Sequence, residues 1–248
     1  MVAVLLAGMA AGTVNTIVGS GTLITFPVLL AVGYPPVLAN VTNTVGLTPG
    51  SVSGAHGYRA ELVGQRPRLV TLGVVSVLGG LTGAVLLLTL PPEAFRAIVP
   101  VLIGISLVLV VLQPRLSQRL AGEDEHSGRV AGGGLGLHAG VYGSGIYGGY
   151  FGAAQGVLLV GLLGVFLHED LQRINAAKNV LAALVNGTAA VVFILVADVA
   201  WQAAGLIAVG SVVGGQLGAS IGRRIPSPVL RGLIVVVGIL AIVKILVG

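Results

Sequence analysis

The sequence predicts an all-α membrane protein: a multi-pass helical bundle with two inverted repeats, each opening with a broken or re-entrant helix pair. Three observations predict it. Hydrophobic residues fill 55% of the 248 positions and charged residues only 8%, whereas a soluble domain carries about 25% charged residues because its surface faces water. Apolar stretches of roughly 17–23 residues recur along the chain, the length that spans about 30 Å of hydrocarbon as a helix. The two halves of the chain also match each other at a single offset. In lipid, only helices and closed barrels satisfy every backbone group. Continuous Leu, Val, Ile, Ala and Gly runs without strict alternation argue against a barrel.

Ten apolar segments follow in order, at about 1–18, 22–33, 37–58, 69–90, 97–112, 130–147, 151–167, 174–197, 201–221 and 229–247. The first begins without a charged leader or a small-residue cleavage site, so it is expected to belong to the bundle. The second is too short to span alone, follows the break Gly19-Ser20-Gly21 and contains Pro27. The sixth and seventh flank a second break, Gly148-Gly149-Tyr150-Phe151-Gly152. Residues 113–129 form the one long polar linker, with Glu123, Asp124, Glu125 and His126. The expected organisation is a first membrane repeat over 1–112, a cytoplasmic linker over 113–129 and a second membrane repeat over 130–248.

Adding 135 to a first-half number lands Asn40 on Asn175, Ser76-Val77 on Ser211-Val212 and Gly79-Gly80 on Gly214-Gly215. The same offset joins Gly83-Ala84 to Gly218-Ala219, Pro91 to Pro226 and Arg96 to Arg231. One ungapped offset joining Asn, Gly, Pro and Arg pairs indicates an internal duplication. Connections at 59–68, 115–129, 168–173 and 223–231 hold ten of the thirteen basic residues. Placing all four in the cytoplasm leaves only Arg96 among the outward connections near Tyr34, Pro91 and Asp198. Each half then has five segments and enters from opposite sides, which is the inverted architecture of many secondary transporters. The first two segments of each half either cross fully or form a re-entrant hairpin, giving six, eight or ten spans.

Such transporters bind solute where broken helices expose backbone groups. A helix restarting at Thr22 or near Gln155 would aim N–H groups and a partial positive charge into the bundle, which suits an anion. Gly21 and Gly152 are expected to supply left-handed turns and close approach. The breaks and their flanks give the candidate residues Asn15, Ser20, Gly21, Thr22, Tyr147, Tyr150 and Gln155; Gly210, Gly214, Gly218 and Gly222, spaced by four, are expected only to pack helices. The following helix of each half adds a polar stripe. Asn40, Thr44, Thr48 and Ser51 share one face, as do Asn175, Asn179 and Asn186. Buried amides are costly in hydrocarbon unless they meet partners or a wet cavity. Asn40, Asn43, Thr44, Asn175 and Asn179 are therefore counted with the candidates.

Lys178 is the outstanding charge, inside the eighth segment at the place Asn43 holds in the first half. A mid-helix lysine costs about 2.5–3.5 kcal/mol on insertion scales, and no acid lies in its segment before Asp198. A substrate anion is the expected counter-ion; snorkelling beside Arg173 is the plain alternative. The hydroxyls of Tyr142, Tyr147 and Tyr150 could donate to the same anion or anchor helices at the interface. His56 reads as interfacial.

Several classes fall away. There are no cysteines, so disulfides, thiolate metal sites and cysteine nucleophiles are excluded. The net charge of +5 comes from arginines between apolar runs, which argues against a nucleic-acid partner. The four histidines are scattered, no buried Asp pair is evident and His168-Glu169-Asp170 reads as a loop, so neither catalytic residues nor a metal site or cofactor are expected. A phosphate-binding G-x-x-x-x-G-K-[ST] is absent, so this chain alone is no ATP-driven pump. Carrier and passive anion channel both remain; only a carrier moves solute against a gradient, driven by protons or the membrane potential.

The pattern resembles the TauE/SafE family of sulfite and organosulfonate exporters. The resemblance rests on GSGTLITFP after an Asn-bearing first helix, GGYFGAAQGVLLVGLLG opening the second half, RINAAKNVLAALVN, GSVVGGQLGASIGRRIP and the closing LRGLIVVVGILAIV. It covers essentially the whole chain, although many members are richer in glycine at the first break and Ala153-Ala154 thin out the second. The resemblance implies export of sulfite, sulfonates or related sulfur-containing anions by a secondary transporter of the bacterial inner membrane. The partners it implies are a small anionic solute and the lipid bilayer.

Overall fold

The computed structural model describes residues 1–122, 134–167 and 169–221, with isolated helical positions at 232, 235, 236, 239 and 243. Apart from those positions, the tenth apolar segment lies outside the described residues, as do the acidic part of the linker, His168, Gly222 and Arg223 to Arg231. Among the described residues the fold is entirely helical. The helices are α1 (Val2–Ile17), α2 (Thr22–Val32), α3 (Pro36–Gly57), α4 (Arg66–Thr89), α5 (Pro92–Gly122), α6 (Gly134–Tyr150), α7 (Gln155–Phe166), α8 (Leu171–Val196) and α9 (Trp201–Ile221). A short 3₁₀ turn, Arg59–Leu62, joins α3 to α4. Helix α5 runs to Gly122, through the first part of the polar linker.

Four of these helices are long and apolar enough to cross a bilayer: α4, α5 as far as Leu112, α8, and α9 to Ser220. Helix α3 has 22 residues, about 33 Å at 1.5 Å per residue. Its buried face carries Asn40, Thr42, Asn43, Thr44 and Ser51, because its neighbours are protein rather than lipid. Helices α2 and α7 have 11 and 12 residues, about 17 and 18 Å, too short for about 30 Å of hydrocarbon.

The connections gather at two ends. At the arginine end, Arg68 bonds Glu169 at 3.1 Å, Arg173 reaches the Val63 carbonyl and Gln65 donates to the Arg173 carbonyl at 3.1 Å. This brings the α3–α4 and α7–α8 connections together. At the proline end, Pro36, Pro92, Arg96, Ala197 and Asp198 line one cleft of about 380 Å³, which collects the α2–α3, α4–α5 and α8–α9 connections. Helix α3 therefore runs from the proline end to the arginine end, while α4 and α8 run the other way. Helix α9 runs alongside α3 in the same direction: Thr42 accepts from Ala200 N–H at 3.1 Å, and Gly57 in the last turn of α3 lies against Ala219.

Small residues set the closest approaches. Helix α1 lies parallel to α9, with Gly8 against Ile207, Gly12 against Ser211 and Gly214 against Met9 and Thr13. Helix α6 lies parallel to α4 in the same way, through Gly79 and Gly145, Gly80 and Gly149, and Gly83 against Ile146 and Tyr150. Side chains there would push the backbones apart, as in small-residue helix contacts in membranes. The packing partners correspond under exchange of the halves: α1 on α9 matches α6 on α4, and α9 on α3 matches α4 on α8.

Candidate solute site at the two helix breaks

Both breaks are built by one backbone device. Helix α1 ends with Val18 and Gly19 N–H groups both donating to the Val14 carbonyl, at 2.7 and 3.1 Å. Helix α6 ends with Phe151 and Gly152 N–H groups both donating to the Tyr147 carbonyl, each at 2.9 Å. Gly19 and Gly152 are the left-handed residues, at φ +89° and +75°, where a Cβ would be strained. Gly21 differs from expectation: its φ of −58° is ordinary helical backbone. Glycine is needed there because a Cβ would stand 2.5 Å from the Ala11 carbonyl oxygen. The breaks also touch, since Gly156 N–H donates to the Gly19 carbonyl at 3.1 Å and a Cβ on either would overlap the other's Cα.

The ends of the interrupted helices are capped from the opposite half. Asn40 on α3 donates to the Tyr150 carbonyl, the last of α6, at 2.9 Å. Asn175 on α8, which the offset of 135 joins to Asn40, donates to the Thr16 carbonyl at 3.4 Å. Asn179 also donates to Thr16 O, at 3.3 Å. Lys178 completes that end: its Nζ donates to Thr16 O at 3.0 Å and Asn15 O at 3.2 Å, and the side chain is fully buried. A cation there is favoured by the partial negative charge at a helix C-terminus. This corrects the snorkelling alternative: Lys178 is buried, and its protein partners are backbone carbonyls. An ammonium has three donors; the third has no partner among the described residues.

The remaining candidates divide. Asn43 donates to Thr22 Oγ1 at 3.1 Å and accepts from Thr25, tying α3 to α2. Asn15 donates to Ser51 at 3.2 Å and accepts weakly from Gly21 N–H at 3.5 Å. Thr44 bonds the Asn40 carbonyl of its own helix. Tyr147 has its hydroxyl 2.6 Å from Ser106 of α5 and is also hydrogen-bonded to the backbone of Ala154 in the second break. Tyr150 puts its ring against Phe95 in a cluster with Phe26 and Phe151. Lower in the stripe, Thr48 bonds the Asn186 carbonyl and Asn186 bonds Ser51, which holds α3 to α8. Thr25 and Gly156 were missed. Thr25 had only its spacing of three from Thr22 as a signal, and Gly156 only its place beside Gln155.

Eight buried polar side-chain atoms among the described residues have no partner in the protein, and five lie on candidates at the breaks: Ser20 Oγ, Asn40 Oδ1, Tyr150 Oη, Gln155 Nε2 and Asn175 Oδ1. Buried polar atoms are normally satisfied, which makes this concentration the candidate site. Among the described residues no cluster of His, Cys, Asp or Glu could hold a metal ion.

Comparison with known proteins agrees with this architecture. The family model described as Sulfite exporter TauE/SafE matches residues 4–245. The chain belongs to the TauE/SafE family. It is a membrane transporter of that family, multi-pass by its apolar helices. Among its relatives, the probable membrane transporter protein YfcA of Escherichia coli K12 is 28% identical over 96% of this chain and 86% of its own length. A probable membrane transporter protein of Haemophilus influenzae is 25% identical over 96% of this chain and 91% of its own. The probable membrane transporter protein ORF9 of a Sinorhizobium species is 26% identical over 97% and 90%. No solved structure matches the chain.

Proposed function

We propose that this chain is a secondary transporter of the inner membrane that exports a small anion of the sulfite or sulfonate class by alternating access. The observation that carries the anion is the Lys178 ammonium. It is buried at the junction of the breaks with one donor to spare, and no Asp or Glu is buried among the described residues. The α1 carbonyl end offsets about half a charge, which leaves net positive charge beside Ser20, Gln155 and the amides of Asn175 and Asn179. The family's description, sulfite exporter, supplies the chemical class.

An inverted repeat is supported by direction: α3 and α8, joined by the offset of 135, run oppositely, as do α4 and α9. A re-entrant reading of α1–α2 and α6–α7 is supported by the shortness of α2 and α7 and by their return to the end where each hairpin began. With Arg59, Arg66, Arg68 and Arg173 at one end against Arg96 at the other, the arginine end is assigned to the cytoplasm.

The test is flux in sealed liposomes containing the purified chain, comparing sulfite, sulfate and small sulfonates under imposed proton gradients and membrane potentials. Accumulation of sulfite or a sulfonate against its gradient is expected. Flux only down the gradient would replace the carrier with a channel, and flux of none of these anions would refute the substrate class.

A further inference from the structure

We propose that Lys178 is a resident cation: it occupies, at the carbonyl end of α1, the position where a broken-helix transporter would otherwise hold a free metal cation, so that anion transport requires no sodium. In transporters with discontinuous helices, unwound carbonyls and half-helix C-termini coordinate the coupling sodium or proton. Here the Thr16 and Asn15 carbonyls at such a terminus converge on a side-chain ammonium, at 3.0 and 3.2 Å. The charge and the oxygen ligands suit a small monovalent cation. It is tethered through a stem that packs beside Gly156, whose Cβ would stand 3.0 Å from Lys178 Cδ. The repeat makes the substitution visible: the matching position in the first half is Asn43, which bonds Thr22 and Thr25 of α2 and leaves the α6 terminus to a neutral amide.

Among the described residues, other charges do not account for the position. Helices α1, α2, α7 and α9 carry no ionisable side chain, and the described ones of α5, Glu93 and Arg96, lie at its start, Arg96 lining the cleft at the proline end. Those of α3 and α4 are His56 in the last turn of α3 and Arg66 and Arg68 in the first of α4. Helix α6 presents His138 and tyrosines, and α8 itself only Arg173 besides Lys178. The third ammonium donor is left for the anion, a part of the inference that rests on the proposed function. Cation and anion would then be bound as a pair whose cation never leaves.

The experiment uses the full chain in proteoliposomes with sulfite as the probe, in sodium, potassium or N-methylglucamine media. Wild-type flux is expected to agree within about 2-fold in all three, and a loss of 10-fold or more without sodium would overturn the proposal. Lys178→Ala should lower flux at least 10-fold, with several-fold recovery in ethylammonium or sodium, while Lys178→Arg retains part of the flux. Wild-type flux in Lys178→Ala would overturn it. In detergent, ethylammonium or sodium should raise the melting temperature of Lys178→Ala and not of wild type; no such rise would also overturn it. This arm reads the cation position even if sulfite is not the solute, so failure of the substrate class shows instead as absent wild-type flux with the melting shift intact.

Discussion

Asn40 and Asn175 are joined by the offset of 135, yet removing their amides should have unequal consequences. Asn40→Leu deletes the donor to Tyr150 O at 2.9 Å, leaving a helix-terminal carbonyl buried without that partner, a loss of about 1–3 kcal/mol. It also removes the unpartnered Asn40 Oδ1, which returns part of that, so the net cost is about 1–2 kcal/mol. Asn175→Leu deletes a bond of 3.4 Å, beyond the usual range for N–H···O. The Thr16 carbonyl keeps Lys178 at 3.0 Å and Asn179 at 3.3 Å, so the cost is under about 0.5 kcal/mol. Both variants make the same change in a membrane helix, so insertion preference cancels in their difference. With roughly 2–4 °C per kcal/mol for a chain of this size, Asn40→Leu should melt about 2–8 °C lower and Asn175→Leu within about 2 °C of wild type. The single tryptophan, Trp201 at the start of α9, reports melting in detergent. An Asn175→Leu loss equal to or larger than that of Asn40→Leu would refute the capping argument.

Three further outcomes are expected. Gly19→Ala and Gly33→Ala both place a Cβ on left-handed backbone, costing about 1–2 kcal/mol. Gly33 has open space around it, whereas Gly19 would overlap Gly156, so Gly19→Ala should lose at least twice as much stability by thermal melting, and similar losses would remove the break-to-break contact from consideration. Because the chain has no cysteine, single cysteines at Gly64 and Pro92 can be labelled in intact cells: Gly64 from the cytoplasm, Pro92 from outside, with labelling from one side refuting the crossing of α4. The Glu169 carboxyl is held below its ordinary value of 4.5, first by its hydrogen bond from Arg173 and then by Arg68, against a partial burial that raises it. A lowered folded value means the ion pairs contribute above about pH 4.5 and are lost as pH falls through the folded value. Glu169→Gln should therefore cost up to about 1 kcal/mol near neutrality and flatten the melting temperature at acid pH; an unchanged profile would refute that role.

The helices and breaks were legible because lipid and backbone geometry impose them on composition. Runs at 69–90 and 174–197 became α4 and α8 with shifts of a few residues, and Gly19-Ser20-Gly21 does interrupt helices; the second interruption falls at 151–154, so of the expected break only Phe151 and Gly152 leave the helix while Gly148, Gly149 and Tyr150 stay in α6. What stayed hidden depends on backbone atoms that sequence does not display. Lys178 looked unpaired because its partners are carbonyls of α1. Which glycine turns left was not decided by residue type, since Gly19 and Gly21 offer the same freedom; the end of α1 selects Gly19. The tie of Tyr147 to Ser106 was hidden because Ser106 is a lone hydroxyl inside an apolar run. The equivalence of the breaks was hidden by arithmetic: Val14 and Gly19 correspond to Tyr147 and Gly152 at an offset of 133, two short of the 135 that joins Asn40 to Asn175.

The exchanged caps also make the two breaks energetically different. The α1 terminus is held by three side chains of α8, one of them charged, whereas the α6 terminus is held by the single neutral amide of Asn40. Releasing the α6 end exposes one carbonyl and forfeits about 1 kcal/mol of net hydrogen bonding. Releasing the α1 end strands an ammonium whose cost in hydrocarbon is about 2.5–3.5 kcal/mol on insertion scales, in addition to its bonds. The carbonyl end of α1 therefore gives Lys178 a reason to be in the membrane, and Lys178 gives α1 a fixed terminus. Neither group is satisfied until both halves of the chain are assembled, so the charge that is costliest to insert also enforces the pairing of the two halves.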